Sequence, residues 1–285
     1  MNIVHSITEV QDDISKKKSC GNKIAFVPTM GNLHGGHLTL VDKAKALADE
    51  VVVSIYVNPL QFGVNEDYDA YPRTMEKDCQ LLEKRGVNLV YAATTKEIYP
   101  EGSEYHTHVT VDSLDGMHCG KTRPHFFRGV ATVVTKLFNI VRPDIAVFGE
   151  KDFQQLMIIR KMVNDMCMPV EIIGAPIARE DSGLAKSSRN GYLTQSDRET
   201  IAPTVFEALN YAKSAIQSGE RDYDAISRHA FTMLANAGIT PDYFNVCNPK
   251  TLLPACEKDN TIVILAAGLL GNVRLIDNIH FSIKH

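Results

Sequence analysis

The sequence predicts an α/β fold: a doubly wound parallel sheet followed by a smaller C-terminal α+β domain. Three observations predict it. Short apolar runs alternate with amphipathic stretches through residues 1–176. Pro, Gly or Asn-Pro ends several of those runs, as a buried strand's end requires. After about Arg179 the order changes to helices first and strands later.

Taken in order, residues 24–27 are an apolar run stopped by Pro28, and read as a buried strand. Leu40, Val41, Ala44, Leu47 and Ala48 then share one face at helical spacing. Residues 51–57 form a β-branched second strand ended by Asn58-Pro59. A polar stretch over 61–71 leads to a helix over about 74–85, and 89–92 is a third strand. Residues 130–140 read as a helix ended by Pro143, and 145–148 as a fourth strand ended by Gly149. Asp152 can cap a helix reaching about Met166, and 170–173 is a fifth strand. Strand–helix alternation of this kind gives a parallel sheet with helices on both faces. Its ligands bind at the carboxyl ends of the strands. The ends at 28–31, 58–59 and 149–152 are expected to converge on one crevice. Beyond the boundary, helices over about 196–218 and 223–237 precede strands near 243–246, 261–266 and 273–276. The domains are therefore read as 1–176 and 177–285.

Composition narrows the function. The chain has 285 residues, 44% hydrophobic and 22% charged, an ordinary globular composition and enough for two domains or one large one. Net charge is −4, so no global basic field holds a polyanion, and nucleic acid is not the expected partner. Cysteines 20, 79, 119, 167, 247 and 256 form no Cys-x-x-Cys pair, and such scattered thiols suit a reducing cytoplasm. The N-terminus lacks a charged-then-apolar signal pattern, and the apolar run 262–270 is half a membrane helix. A cytoplasmic, unprocessed protein without membrane partners is expected.

Four stretches can carry chemistry. The first is Met30-Gly31-Asn32-Leu33-His34-Gly35-Gly36-His37. Its glycines let backbone approach a ligand, and the helix start near His37 offers N–H groups and a positive dipole end to an anion. His34 and His37, three apart, can face one phosphate as imidazolium donors. The plain alternative is a glycine-rich turn with two surface histidines. Zinc would need a third ligand that the local sequence does not offer, so no metal site is expected. The loop is neither Gly-x-x-x-x-Gly-Lys-Ser/Thr nor Gly-x-Gly-x-x-Gly, and no acidic ribose ligand follows the second strand.

The second stretch is Asn58-Pro59-Leu60-Gln61-Phe62-Gly63, whose neutral amides suit the hydroxyls and carboxylate of a small substrate; a simple turn is the alternative. In the third, Gly149-Glu150-Lys151-Asp152-Phe153-Gln154-Gln155, Lys151, Asp152 and Gln155 fall at shared-face spacing. There Lys151 can meet a phosphate, and Asp152 a ribose hydroxyl or a magnesium-bound water; a capped helix with a solvated face is the alternative. In the fourth, Lys186-Ser187-Ser188-Arg189-Asn190, two cations bracket two hydroxyls, a clamp for phosphates or an exposed loop. Arg123, His125 and Arg128 form a further basic cluster, and His106 and His108 alternate along an expected strand as packing or surface residues.

The ordered set resembles the pantothenate synthetase (pantoate–β-alanine ligase) family. Val27-Pro28-Thr29 with the Met30 to His37 loop is similar to that family's nucleotide loop. Asn58-Pro59-Leu60-Gln61-Phe62, Tyr71-Pro72-Arg73-Thr74, Phe127-Arg128-Gly129-Val130, Phe148-Gly149-Glu150-Lys151-Asp152 and Ser187-Ser188-Arg189-Asn190-Gly191-Tyr192-Leu193 follow in its order. His-x-Gly-His alone would mark only the wider nucleotidyltransferase superfamily. The resemblance implies a Rossmann-like first domain that binds ATP and pantoate. It implies adenylation of the pantoate carboxylate with release of pyrophosphate, then attack by the amine of β-alanine, giving pantothenate and AMP. ATP would be co-substrate with Mg2+, and the enzyme a homodimer. By matching position, His37, His34 and Lys151 would be catalytic. Met30, Gly31, Asn32, Leu33, His34, Gly35, Gly36, His37, Gly149, Glu150, Lys151, Asp152, Ala178, Lys186, Ser187, Ser188 and Arg189 would hold ATP. Gln61 and Gln155 would hold pantoate, and Gln61 also β-alanine. The sequence departs from the family pattern at Gly35, Cys119, His125 and Lys186. Two other readings are a nucleotidyltransferase moving AMP or CMP onto a phosphate ester, and a nucleotide-binding regulator without catalysis.

Overall fold

The computed structural model describes residues 1–63, 66, 68–103 and 105–283. Part of the polar stretch 61–71 therefore lies outside the described residues. Contacts divide the chain into two compact units: Met1–Glu150 with Gln155–Pro176, and Lys151–Gln154 with Ile177–His285.

The first unit is built on a six-stranded sheet. Its strands are β1 (Asn2–Val4), β2 (Ile24–Thr29), β3 (Glu50–Ile55), β4 (Leu89–Tyr91), β5 (Ile145–Gly149) and β6 (Glu171–Ala175). They lie in the order β1-β4-β3-β2-β5-β6, every pair parallel. The helices are α1 (Ile7–Ser19), α2 (Gly35–Lys45), α3 (Met75–Lys84), the short α4 (Thr95–Ile98), α5 (Asp112–Asp115) and α6 (Cys119–Thr122), then α7 (Phe126–Val141) and α8 (Phe153–Asp165). Side chains alternate across each strand. Ala25 and Val27 of β2 pack with Leu40, Val41 and Ala44 of α2 and Leu82 of α3. Phe26 faces the other way and meets Phe138 of α7 edge-on at 6.3 Å, and Phe138 meets Phe148 at the same distance. Both faces of the sheet are thus covered, which is why its strands read as unbroken apolar runs. The chain leaves β2 toward β3 and returns beside β2 as β5, so the topological switch falls between β2 and β5.

Two expectations change here. The sequence reading had no element before residue 24, yet β1 and α1 are formed. Ser6 and Glu9 cap α1 reciprocally, a four-residue signal visible in the sequence. His106 and His108 lie on no strand. They touch ring to ring at 4.4 Å, and His106 stacks on Tyr99 at 4.7 Å, so packing accounts for them.

In the second unit, α9 (Thr204–Gln217) and α10 (Tyr223–Asn236) cover one face of an antiparallel sheet of β7 (Thr240–Cys247), β8 (Thr261–Leu270) and β9 (Val273–Ser282). The core joins Val205, Leu209 and Ile216 to Phe244, Ile262, Ile264, Leu275 and Phe281. The helix expected over 196–218 is interrupted. A π-helical turn, Asp197–Ile201, precedes α9. Pro203 supplies no N–H and crowds the carbonyl one turn back, and Ala202 N donates five residues back to Asp197 O. Among the described residues no helix is long and apolar enough to cross a membrane. Among the described residues no cysteine forms a disulfide, and burial pushes the thiol of Cys247 up to about 12.

Candidate active site

The β2–α2 junction carries the two-histidine loop. Gly31 has φ +80° and Asn32 φ +48°, consecutive left-handed residues that glycine and asparagine adopt at least cost. What holds this bend is Asp78 of α3, fully buried, which the sequence reading did not single out. Its carboxylate accepts the N–H of Asn32 at 2.9 Å, the N–H of Leu33 at 2.8 Å and the Thr74 hydroxyl at 3.1 Å. A side chain on Gly31 would come within 3.1 Å of both Asp78 Oδ2 and Ile55. Gly31 N donates to Thr29 Oγ1, and Leu33 sends its side chain into the core.

His34 is the N-cap of α2, and His37 sits at the third helical position. His34 Nδ1 accepts the N–H of Gly36 at 3.0 Å, while His37 Nδ1 accepts the N–H of His34 at 3.4 Å. The rings are 4.2 Å apart. This is a capping box made of two imidazoles. The amides of Gly31, Asn32, Leu33, His34 and Gly36 each donate inside the protein, so those five are not part of the open anion cradle that the glycines suggest. A nitrogen that accepts a hydrogen bond carries no proton, so each of these bonds is made by the neutral Nε2–H tautomer of its ring. The positive end of the α2 dipole favours the same state.

The Asn58 turn lies beside this loop. Asn58 is buried and donates through Nδ2 to Gln61 Oε1 and to Gly129 O, both at 3.1 Å, while its Oδ1 accepts the Tyr99 hydroxyl at 3.0 Å. With its oxygen taken, Gln61 turns Nε2 toward Met30, 3.2 Å from Sδ. Gln61 therefore presents a donor, suited to carboxylate or hydroxyl oxygens. The α7 backbone approaches this turn so closely that a side chain on Gly129 would sit 2.3 Å from Leu60 O.

Arg123 reaches the same turn. It is paired bidentately with Glu66, donates to Gln61 O at 3.2 Å, and stacks on Phe126 at 3.7 Å. Glu66 thus neutralises Arg123, one member of the basic cluster of Arg123, His125 and Arg128. His125 stands just before α7 with φ +72°, a backbone state that favours glycine.

The Gly149-Glu150-Lys151-Asp152 motif is divided. Gly149 closes β5 in the first unit, beside β2 in the sheet. A side chain on Gly174 would come within 2.8 Å of the Glu150 carboxylate and 3.3 Å of the Arg160 guanidinium, so these two charged groups lie together over β6. Lys151 and Asp152 belong to the second unit and lie in a 3-10 turn, Glu150–Asp152, that precedes α8; Gln155 is on α8 in the first unit. Lys151 and Asp152 therefore lie outside the helix that carries Gln155.

Within the second unit, Lys151, Ser187, Asn190, Phe206, Arg274 and Asp277 line one small pocket. Lys186 N donates to Ala178 O at 2.9 Å, and Ser187 caps the 3-10 turn Ser188–Tyr192 through its hydroxyl. Asn190 is buried and ties that turn to Glu180 and to Ala185 O. Ala178, Lys186, Ser187, Ser188 and Arg189 thus sit on one braced loop. Asp78 and the β9 residues of this pocket escaped sequence reading because their partners are remote in the chain.

Comparison with known proteins agrees with this geometry. A family model described as pantoate-beta-alanine ligase matches residues 2–280. A pantothenate synthetase from Marinobacter nauticus is 52% identical over 282 residues, covering 99% of this chain and 100% of the relative. One from Pseudomonas putida is 52% identical over 280 residues, 98% of this chain and 97% of the relative. The crystal structure of pantothenate synthetase from Thermus thermophilus superposes with a TM-score of 0.91 at 41% identity, covering 98% of this chain and 99% of that one. A pantoate-beta-alanine ligase from Francisella tularensis, complexed with beta-gamma ATP and beta-alanine, superposes at 0.79 with 35% identity, covering 98% and 97%. With a two-imidazole capping box at the switch point of its sheet and relatives matched from end to end, the chain belongs to the pantoate–β-alanine ligase family.

Proposed function

We infer that this chain is an ATP-dependent ligase that joins pantoate to β-alanine and releases AMP and pyrophosphate. Full-length family membership carries the reading, and the β2–α2 loop supports it chemically. A carboxylate is a poor electrophile, and adenylation gives its carbonyl carbon a good leaving group. In the first step a pantoate oxygen attacks the α-phosphorus of ATP and the bond to pyrophosphate breaks. In the second the β-alanine nitrogen attacks the acyl carbon, a C–N bond forms, and AMP leaves with its electron pair. No covalent enzyme intermediate is needed.

In this reading the Nε2–H groups of His34 and His37 donate to phosphate oxygens, where negative charge grows as pyrophosphate departs. A neutral donor suits a site at a helix N-terminus, since it needs no proton from solvent. Gln61 and Gln155 bind pantoate, and Gln61 also β-alanine. Lys151, with Lys186, Ser187, Ser188 and Arg189, neutralises the phosphates, and backbone at Ala178 lies along the adenine. Glu150 serves this site through its place over β6 rather than as a phosphate ligand, since its charge is negative. Asp152 would hold, through a bound water, the magnesium that accompanies ATP, and that ion would offset the phosphate charge. A homodimer working in the cytoplasm completes the proposal.

Pyrophosphate release measured with ATP and pantoate, with and without β-alanine, tests it. A stoichiometric burst without the amine and steady turnover with it are expected. Continuous AMP or CMP transfer to a phosphate ester, with none to pantoate, would overturn the reading in favour of a nucleotidyltransferase.

A further inference from the structure

Odd-numbered residues of β9 face the helices: Val273, Leu275 and Phe281 belong to the core with α9 and α10. Even-numbered residues face the opposite side. There Asn278 donates through Nδ2 to the main-chain carbonyl of Lys151 at 2.9 Å. His280, one strand repeat further, lies 5.9 Å from the Phe153 ring. The short segment Lys151–Gln154 is fastened to β9 at both points, which is why it belongs to the second unit. Asn278 is only 2% exposed, so water does not compete for the bond.

Its neighbour Asp277 faces the helix side and is equally well held. It takes both arms of the Arg179 guanidinium, at 2.6 and 3.0 Å, and its Oδ1 accepts the N–H of Asn278 at 2.8 Å. Arg179 also donates to Gly183 O at 2.9 Å and stacks on Phe206 at 3.8 Å. Adjacent residues of one strand therefore brace the loop that ends in Lys186 and Ser187 and the turn that carries Lys151.

We propose that Asn278 is a positioning residue for Lys151: its amide fixes the Lys151 backbone so that the ammonium meets the phosphates as pyrophosphate departs. This rests on the phosphate role assigned to Lys151 above. A lysine has a long flexible stem, so the place of its backbone decides where its charge is held. Losing about 1 Å of alignment at a reacting group can cost on the order of a hundredfold in rate.

The test is a double-mutant cycle on pantoate-dependent pyrophosphate release, with Asn278→Ala, Lys151→Ala and both together. Asn278→Ala is expected to lower kcat at least about tenfold while the KM for pantoate changes little, as loss of a transition-state contact does. In the Lys151→Ala background the same change should cost nothing more, because there is no ammonium left to aim. Asn278→Asp keeps the shape and removes the donor, so it should reproduce the loss if the alanine variant folds poorly. Equal losses in both backgrounds would mean a merely structural role and would overturn the proposal, as would parental kcat in Asn278→Asp. Parental kcat in Lys151→Ala would instead remove the role of the lysine itself.

Discussion

Asp78 shows how a single buried carboxylate can shape a loop through its main chain. Its two oxygens and the left-handed pair Gly31-Asn32 define one another: the bend turns successive amides inward, and the carboxylate collects them. His34 and His37 are then delivered to the start of α2 with their Nδ1 atoms already engaged. Asp78→Asn keeps the shape but sets an N–H donor against one of those amides. An unsatisfied buried group costs about 1–3 kcal/mol, and a fall of that size in denaturant unfolding is expected. ATP saturation should also shift to higher concentration. Unchanged stability together with unchanged ATP saturation would show that the loop does not depend on this carboxylate. The loop itself was legible, because glycines and histidines announce themselves in sequence. Its clamp was not, since Asp78 reads as one more polar residue on an amphipathic helix 45 positions away from Leu33.

At the scale of elements, residues that pack on both faces of the sheet gave β2 to β6 away, with ends displaced by one or two residues: β2 runs on to Thr29, β3 spans 50–55 rather than 51–57, and β6 spans 171–175 rather than 170–173. The helix over 196–218 was misjudged because apolar spacing continues across Pro203 while the hydrogen-bond ladder does not. β1 escaped because an exposed edge strand of three residues has no apolar run to reveal it. Asp144 ties several of these elements together. Its carboxylate accepts the Ile24 N–H at the start of β2 and the Lys18 ammonium near the end of α1, at 2.8 and 2.9 Å. Burial alone would raise this carboxyl, but those two bonds and the charges of Lys18 and Lys23 outweigh it and hold it below the usual carboxylate range. A depressed folded value contributes stability that is complete above the unfolded value, about 3.9, and is lost as pH falls through the folded one. Asp144→Asn should therefore be less stable than the parent near neutrality, and the gap should close as pH falls below about 4. Urea titrations across that range measure it; a gap that widens on acidification would contradict the assignment.

For the whole molecule, the order of motifs along the chain carried family and chemistry, and the division near residue 177 follows the change from alternating elements to helices and then strands. What sequence could not give is the division inside one motif. Gly149 and Glu150 belong with the sheet, Lys151 and Asp152 with β9, and one bond that fastens Lys151 there joins residues 127 positions apart. Neither Asn278 nor Lys151 has a local pattern that names the other. The central claim is that this chain activates a carboxylate by making it an adenylate. Pantoate labelled with heavy oxygen in its carboxylate, turned over with ATP and β-alanine, tests this most directly, with the products weighed by mass spectrometry. One labelled oxygen is expected in AMP and none in pyrophosphate; AMP without label would rule out adenylation of the carboxylate.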